Sequence, residues 1–308
     1  MKAIGGYFGL ETGKGSSLHR EALQLNSARN GFEYILRARR CQRVYLPYYT
    51  CGVMFEAPRK LGVPVSLYGI NEQLEPISLP DLGTNETFVY TNYFGLKQKC
   101  VEALASRYGE QLIVDDAQAF FAPRIHGIDT IYSPRKFFGV PDGGIAYGVN
   151  FKPQGDEYPL DDSRDRMAHL ILRKSGEVEK GYVAFKNAEA SLDGAEIMRM
   201  SPETRRMLGH VDEERYADIR KSNFAFLDNE LHTVFPFHRS SDDVPMVYPY
   251  MTDNSRLRAR LIQEKIYVAS YWPGVRNSGS LQERILPLPI DQRYGEEDMK
   301  RIVETVAK

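Results

Sequence analysis

"DTIYSPRKFFGVPDGG", residues 129–144, sets a single lysine, Lys136, in a stretch dominated by aromatic, apolar, glycine and proline residues. Lysine is costly to bury unless its amine has a use. The surroundings of this stretch decide the fold. Just upstream lies the apolar run "QLIVDDA" (111–117), and at its end begins another, "GIAYGV" (144–149). Further upstream are "RVYLPYYT" (43–50), "VPVSLYGI" (63–70) and "TFVYTNYF" (87–94), all short strand-like runs bounded by turn residues. Helical stretches separate several of them, such as "GVMFEAPRKLG" (52–62) and "KQKCVEALASRYG" (97–109). In the second, Val101, Leu104, Ala105 and Tyr108 form one apolar stripe. Gly62 and Gly109 stand where each helix would stop. Strand and helix in alternation predict a largely parallel sheet covered on both faces, with its site beyond the carboxyl ends of the strands.

After residue 150 the pattern changes. The charged stretch 161–194 and "VDEERYADIRKSNFAFLDNEL" (211–231) read as long helices. Strand candidates "VPMVYPYM" (244–251), "KIYVAS" (265–270) and "ERILPLPI" (283–290) follow, with a closing helix "GEEDMKRIVETVAK". The expected organisation is an N-terminal segment and large α/β domain over 1–205, and a smaller α+β domain over 206–308.

Composition narrows the function. Forty Lys and Arg against 41 Asp and Glu leave a formal charge of -1, which argues against a dedicated nucleic-acid binder. The basic cluster "RARRCQR" (37–43) reads as a solvated helix end. Three widely spaced cysteines, Cys41, Cys51 and Cys100, contain no CxxC pair and predict reduced thiols in a cytoplasm, not a disulfide framework or zinc site. Nothing approaches the ~18 apolar residues of a membrane span, and the start lacks the long apolar run of a signal peptide. "GLETGKGSS" (9–17) is not a P-loop: its glycines are too close, and Gly15 follows Lys14 where a magnesium-binding hydroxyl belongs. No G-x-G-x-x-G follows a strand, and the six histidines show no metal-ligand spacing, so no metal is expected.

Lysine chemistry remains. A desolvated lysine suits Schiff-base formation. If Lys136 holds pyridoxal phosphate, the ring nitrogen needs an anionic partner, the phosphate an anion site, and the ring a face to stack on. Asp115 ends the apolar run "QLIV", which puts a carboxylate at a strand's C-terminal end; the plain alternative is a turn or capping aspartate. Gln118 lies three residues on, within reach of a ring hydroxyl, and Ser133 stands three residues before Lys136. "LNSARNGFEYILRARR" (25–40) opens with the N-cap types Asn26 and Ser27, so the amides around Ala28 and Arg29 form an anion site.

These stretches together resemble the DegT/DnrJ/EryC1/StrS family of pyridoxal-phosphate-dependent sugar aminotransferases, of the aspartate-aminotransferase fold (fold type I). "IVDDAQAFFA" (113–122) is similar to the family's D-A-A-Q segment, "SPRKFFGVPDGG" (133–144) to its lysine segment, and "ERILPLPIDQRYGEEDMKRIV" (283–303) to its C-terminal segment. The resemblance implies Lys136 as the Schiff-base lysine, Asp115 on the ring nitrogen and Gln118 near the ring oxygen. It further implies transfer of an amino group, from glutamate first among donors, to a nucleotide-linked keto sugar. A homodimer is implied as well, with interfacial active sites and the region around Arg199 contributing across the interface. A dehydratase or decarboxylase of the same fold, or a silent sugar-nucleotide-binding relative, is the alternative. The sequence departs from the family at several places. "NSARN" replaces the S-G-T-x-A phosphate loop, Ile131 replaces a serine before the lysine, and Cys51 replaces the stacking aromatic, which leaves that role to Tyr49.

Overall fold

The computed structural model describes residues 3–10, 19, 21–148, 157–233, 240–272 and 281–308. Most of the glycine-containing stretch 9–17 therefore lies outside the described residues. A short strand, β1 (Ile4–Gly5), precedes the central sheet, whose strands are β2 (Leu23–Leu25), β3 (Arg43–Pro47), β4 (Val65–Tyr68), β5 (Glu86–Thr91), β6 (Leu112–Asp116), β7 (Asp129–Tyr132) and β8 (Gly144–Tyr147). Their spatial order is β2-β8-β7-β6-β5-β3-β4. All neighbours from β4 to β7 run parallel, and β8 is antiparallel to both β7 and β2.

Alternation along the strands assigns each side chain to a layer. Phe88 and Tyr90 of β5, Leu112 and Val114 of β6 and Tyr132 of β7 belong to one core, joined by Val101, Leu104 and Tyr108 of α3 (Gln98–Tyr108). Val89, Ile113 and Ile131 face the other way, against Phe32, Ile35 and Leu36 of α1 (Ala28–Arg39) and Ala57 of α2 (Glu56–Leu61). A sheet buried on both faces explains why these strands read as unbroken apolar runs. The basic end of α1 is less solvated than its sequence suggests: Arg39 is mostly buried, pairing with Asp129 at 2.5 Å and donating to the Leu112 carbonyl at 3.0 Å.

The charged stretch 161–194 is not one helix. It breaks at Gly176, which has φ +84°, into α4 (Ala168–Lys174) and α5 (Val178–Ala190). Then come α6 (Pro202–Leu208), the long α7 (Glu213–Leu231), β9 (Val247–Met251), α8 (Leu257–Gln263), β10 (Ile266–Tyr267), α9 (Leu281–Arg284), β11 (Ile285–Pro289) and α10 (Glu296–Ala307). β9 and β11 form an antiparallel pair. β10 instead pairs in parallel with β1, and the Tyr294 hydroxyl receives the Gly5 amide at 2.8 Å, so the N-terminal segment packs on the C-terminal part. No helix among the described residues is long and apolar enough to cross a membrane.

Candidate active site

β3 leads on to β4 on one side while its other neighbour, β5, leads on to β6 on the opposite side, so the connections leave this pair of strands in opposite directions. Crevices open beyond the carboxyl ends of strands at such a point. Here a cavity of about 950 Å³ is lined by residues that include Ser27, Ala28, Arg29, Asp115, Ser133 and Lys136. That volume is at the upper end of the usual range for small-molecule sites, enough for a cofactor and a substrate together.

Asp115, the last residue but one of β6, lies on the side facing α1, sharing parity with Ile113. It is buried, and accepts the Ala117 amide at 3.0 Å and the Thr91 hydroxyl at 3.2 Å. Burial raises its carboxyl above the ordinary value, and the Lys136 charge and the two donors only partly offset that effect. The next residue, Asp116, points to the opposite face and is pushed much further up by burial. The nearby Asn92 and Tyr132 side chains only partly oppose that shift.

Lys136 ends a short 3₁₀ turn, Pro134–Lys136, directly after β7. Contrary to the sequence expectation, it is not buried. Its neighbours Pro134, Phe137 and Phe138 fill the core, and the turn leaves the lysine side chain exposed in the cavity wall. Ser133, which begins the turn, is buried and lines the same cavity, as does Ile131.

The N-terminus of α1 is built as anticipated. Ser27 caps it, accepting the Asn30 amide at 3.2 Å, and no acidic side chain occupies its first turn. The glycine pair of "PDGG" holds this end in place. The Gly143 amide donates to the Asn26 carbonyl at 2.7 Å, and a Cβ on Gly144 would stand 2.0 Å from Ser27 C and 2.3 Å from the Ala28 nitrogen. Asp142, fully buried, anchors the turn by accepting the Ser201 amide at 2.8 Å, the Ser201 hydroxyl at 2.7 Å and the Thr204 hydroxyl. The double glycine was the sequence signal for this cradle; its partners Ser201 and Thr204, some sixty residues away, gave none.

Other expected residues sit differently. The Arg29 side chain is engaged by Asp193 at 2.5 Å and Glu56 at 3.3 Å, leaving its backbone amide as the group available at the helix start. Tyr49 does not line the cavity: it is buried, stacked on Tyr93 with centroids 5.6 Å apart, and edge-on to Trp272 at 4.6 Å. Cys51, Val53 and Met54 line the cavity from that loop instead. Gln118 is fully buried and accepts the Phe94 amide at 2.9 Å through Oε1, while its Nε2 is buried without a partner. Phe94 has φ +58°, so this bond steadies an uncommon backbone conformation.

No family model matches the chain, and no curated protein sequence matches it either. Solved structures do. An aminotransferase, TlmJ from Streptoalloteichus hindustanus, is 15% identical, with 93% of this chain and 84% of that one covered at a TM-score of 0.67. DesV from S. venezuelae, solved with a ketimine intermediate, is 17% identical, with coverage of 92% and 83% and a TM-score of 0.66. A DegT DnrJ EryC1 StrS aminotransferase from Brucella abortus is 16% identical, with coverage of 93% and 85% and a TM-score of 0.64. This chain has the fold those aminotransferases share, over most of the length of each.

Proposed function

We propose that the chain is a pyridoxal-phosphate-dependent aminotransferase that moves an amino group from an amino acid, glutamate first among donors, to a nucleotide-linked keto sugar. The observation that carries this reading is the convergence of Asp115, Lys136 and the α1 N-terminus on one cavity. The residues fit the cofactor. Asp115 is a buried carboxylate whose charge only partly finds compensation, as a partner for a protonated ring nitrogen should be. Gly144 lets β8 approach the α1 start with no Cβ pressed against Ser27 and Ala28, and no acidic side chain occupies the first turn, as suits a phosphate site. Gln118 Nε2, next in sequence to the cavity-lining Ala117, is a buried donor lacking an acceptor, which suits a ring hydroxyl.

Pyridoxal phosphate, when bound, supplies a carbonyl carbon that takes up and returns an amino group, and a ring that withdraws electrons from the bond being broken. The chain does the rest. Ser27, Ala28 and Arg29 would hold the phosphate through the helix start, and the Ser133 hydroxyl would offer a further donor. Asp115 keeps the ring nitrogen protonated. Lys136 would hold the cofactor, and its amine, when free, would serve as the general base and acid. Val53, Met54 and Ile131 present apolar walls on which a flat ring can lie, in place of an aromatic stack with Tyr49. We further propose a cytoplasmic homodimer, with the segment around Arg199 at the shared site and a large and a small domain meeting near residue 205.

The test is spectral. The purified protein should carry a visible band that borohydride bleaches, with the label mapping to Lys136, and glutamate should then shift the band of unreduced enzyme while releasing its keto acid. A protein that stays colourless with added cofactor would end the reading. A loaded enzyme whose spectrum no amino donor shifts would remove transamination alone.

A further inference from the structure

The cavity wall contains five arginines, Arg29, Arg135, Arg220, Arg258 and Arg293. Four have acidic neighbours. Arg29 pairs with Glu56 and Asp193, Arg135 with Glu189, and Arg293 with Asp291 at 2.6 Å. Arg220, fully buried, donates to the Met246 carbonyl and Gln292 Oε1, and with Arg293 holds the Asp291 carboxyl below its usual range despite burial. Arg258 differs. Half-buried on α8, it donates from Nη1 to the Ala269 carbonyl at 2.9 Å and from Nη2 to the Val268 carbonyl at 3.0 Å. Among the described residues no carboxylate pairs with it. Burial lowers its pKa, and no acidic neighbour offsets that effect.

A guanidinium stays charged in proteins and carries five N–H donors. Two are spent on carbonyls here, which fixes the plane of the fork and leaves three. A partly desolvated cation without a counter-ion is unfavourable unless an anion completes it. We infer that Arg258 receives an oxyanion group of the substrate, carboxylate or phosphate, in the cavity wall. The inference rests on reading this cavity as the aminotransferase site: a carboxylate would belong to the amino donor, a phosphate to the acceptor. Planar, pre-oriented guanidinium forks suit both, through paired N–H bonds.

Trp272 is the only tryptophan of the chain and lies three residues beyond Ala269, whose carbonyl Arg258 holds, so its emission reports on this segment. Cofactor-loaded protein is titrated separately with inorganic pyrophosphate and with glutarate, following Trp272 emission and binding heat. At least one anion should bind saturably, about tenfold or more weakly in Arg258→Gln, with Arg258→Lys in between. Glutarate alone assigns the donor, pyrophosphate alone a phosphorylated acceptor, and both support an oxyanion receptor. Unchanged affinities in Arg258→Gln, or no binding of either anion to the wild type, would reduce Arg258 to a cap for two carbonyls. Should Arg258→Gln not fold, Arg258→Lys carries the test: fork recognition predicts weakening of about threefold or more, and capping predicts none. Cofactor loading is read independently from the visible band. If loading fails, the same titrations on the cofactor-free protein still judge Arg258 while the aminotransferase reading falls by itself.

Discussion

Asp115 and Asp116 show how one step along a strand separates two roles. Their side chains leave β6 on opposite faces, so identical chemistry meets a cavity in one case and a closed core in the other. Sequence alone singled out Asp115 because it ends the apolar run, and Gln118 because of its spacing; Asp116 passed unremarked. Burial raises both carboxyls, Asp116 more strongly. A carboxyl raised on folding costs nothing where both states are protonated, below its unfolded value. As pH rises beyond that value, the unfolded chain ionises and the folded one resists, so stability falls until the folded pKa is reached. Asp116→Asn removes this penalty while keeping a polar side chain of the same size beside Asn92 and Tyr132. The variant should therefore gain thermal stability relative to wild type as pH rises from about 4 to 8. A gain that is flat across that range, measured by thermal melts, would mean Asp116 ionises freely.

At the scale of elements, the long strands and amphipathic helices were legible because period and turn residues agreed. β3, β5 and β6 lie within the runs that announced them or one residue beyond, and Ser27 caps α1 as its side-chain type predicts. The four-residue β4 and β8 also lie within their announced runs, but β7 was not legible. β7 has only four residues, "DTIY", and lies inside the very stretch that holds the lysine, where its apolar content reads as surroundings for Lys136. The break at Gly176 was missed because α4 and α5 pack side by side and each continues an apolar stripe. The exposure of Lys136 follows from a turn placed after a strand that was not seen. The β8–α1 junction makes a prediction of its own. Gly144→Ala puts a methyl within 2.4 Å of three backbone atoms of Ser27 and Ala28, which cannot move without displacing the helix start. Stability should drop by about 1–3 kcal/mol, and cofactor affinity should drop with it. Gly52→Ala, with open space around the new methyl, is the control. If Gly144→Ala melts and loads like the control, the α1 N-terminus is not held by this contact.

For the whole molecule, the outer helices bear on assembly. Ile171 of α4 and Val183 of α5 are 51% and 64% exposed, on helices that pack against each other beside the cavity. Val183 is a neighbour in sequence of Tyr182, which is itself 54% exposed and lines the cavity. Contiguous exposed apolar side chains mark partner surfaces, and these three lie on one packed helix pair. In a two-fold assembly such a surface meets its own copy. Placing a carboxylate there costs little if water remains and much if an apolar contact forms, because an ionised group would lose its hydration unpaired. If the proposed dimer uses this face, the double variant Ile171→Glu, Val183→Glu should shift it towards monomer by about tenfold or more in dissociation constant. Its thermal stability, measured at a concentration where both forms are monomeric, should stay within about 0.5 kcal/mol of wild type, since neither side chain is buried in the protomer. Sedimentation across a concentration series gives the dissociation constants, and thermal melts give the stability difference. A dimer that withstands the two glutamates must use another face, and a wild-type protein that loads cofactor and turns over as a monomer would remove the dimer from the proposal.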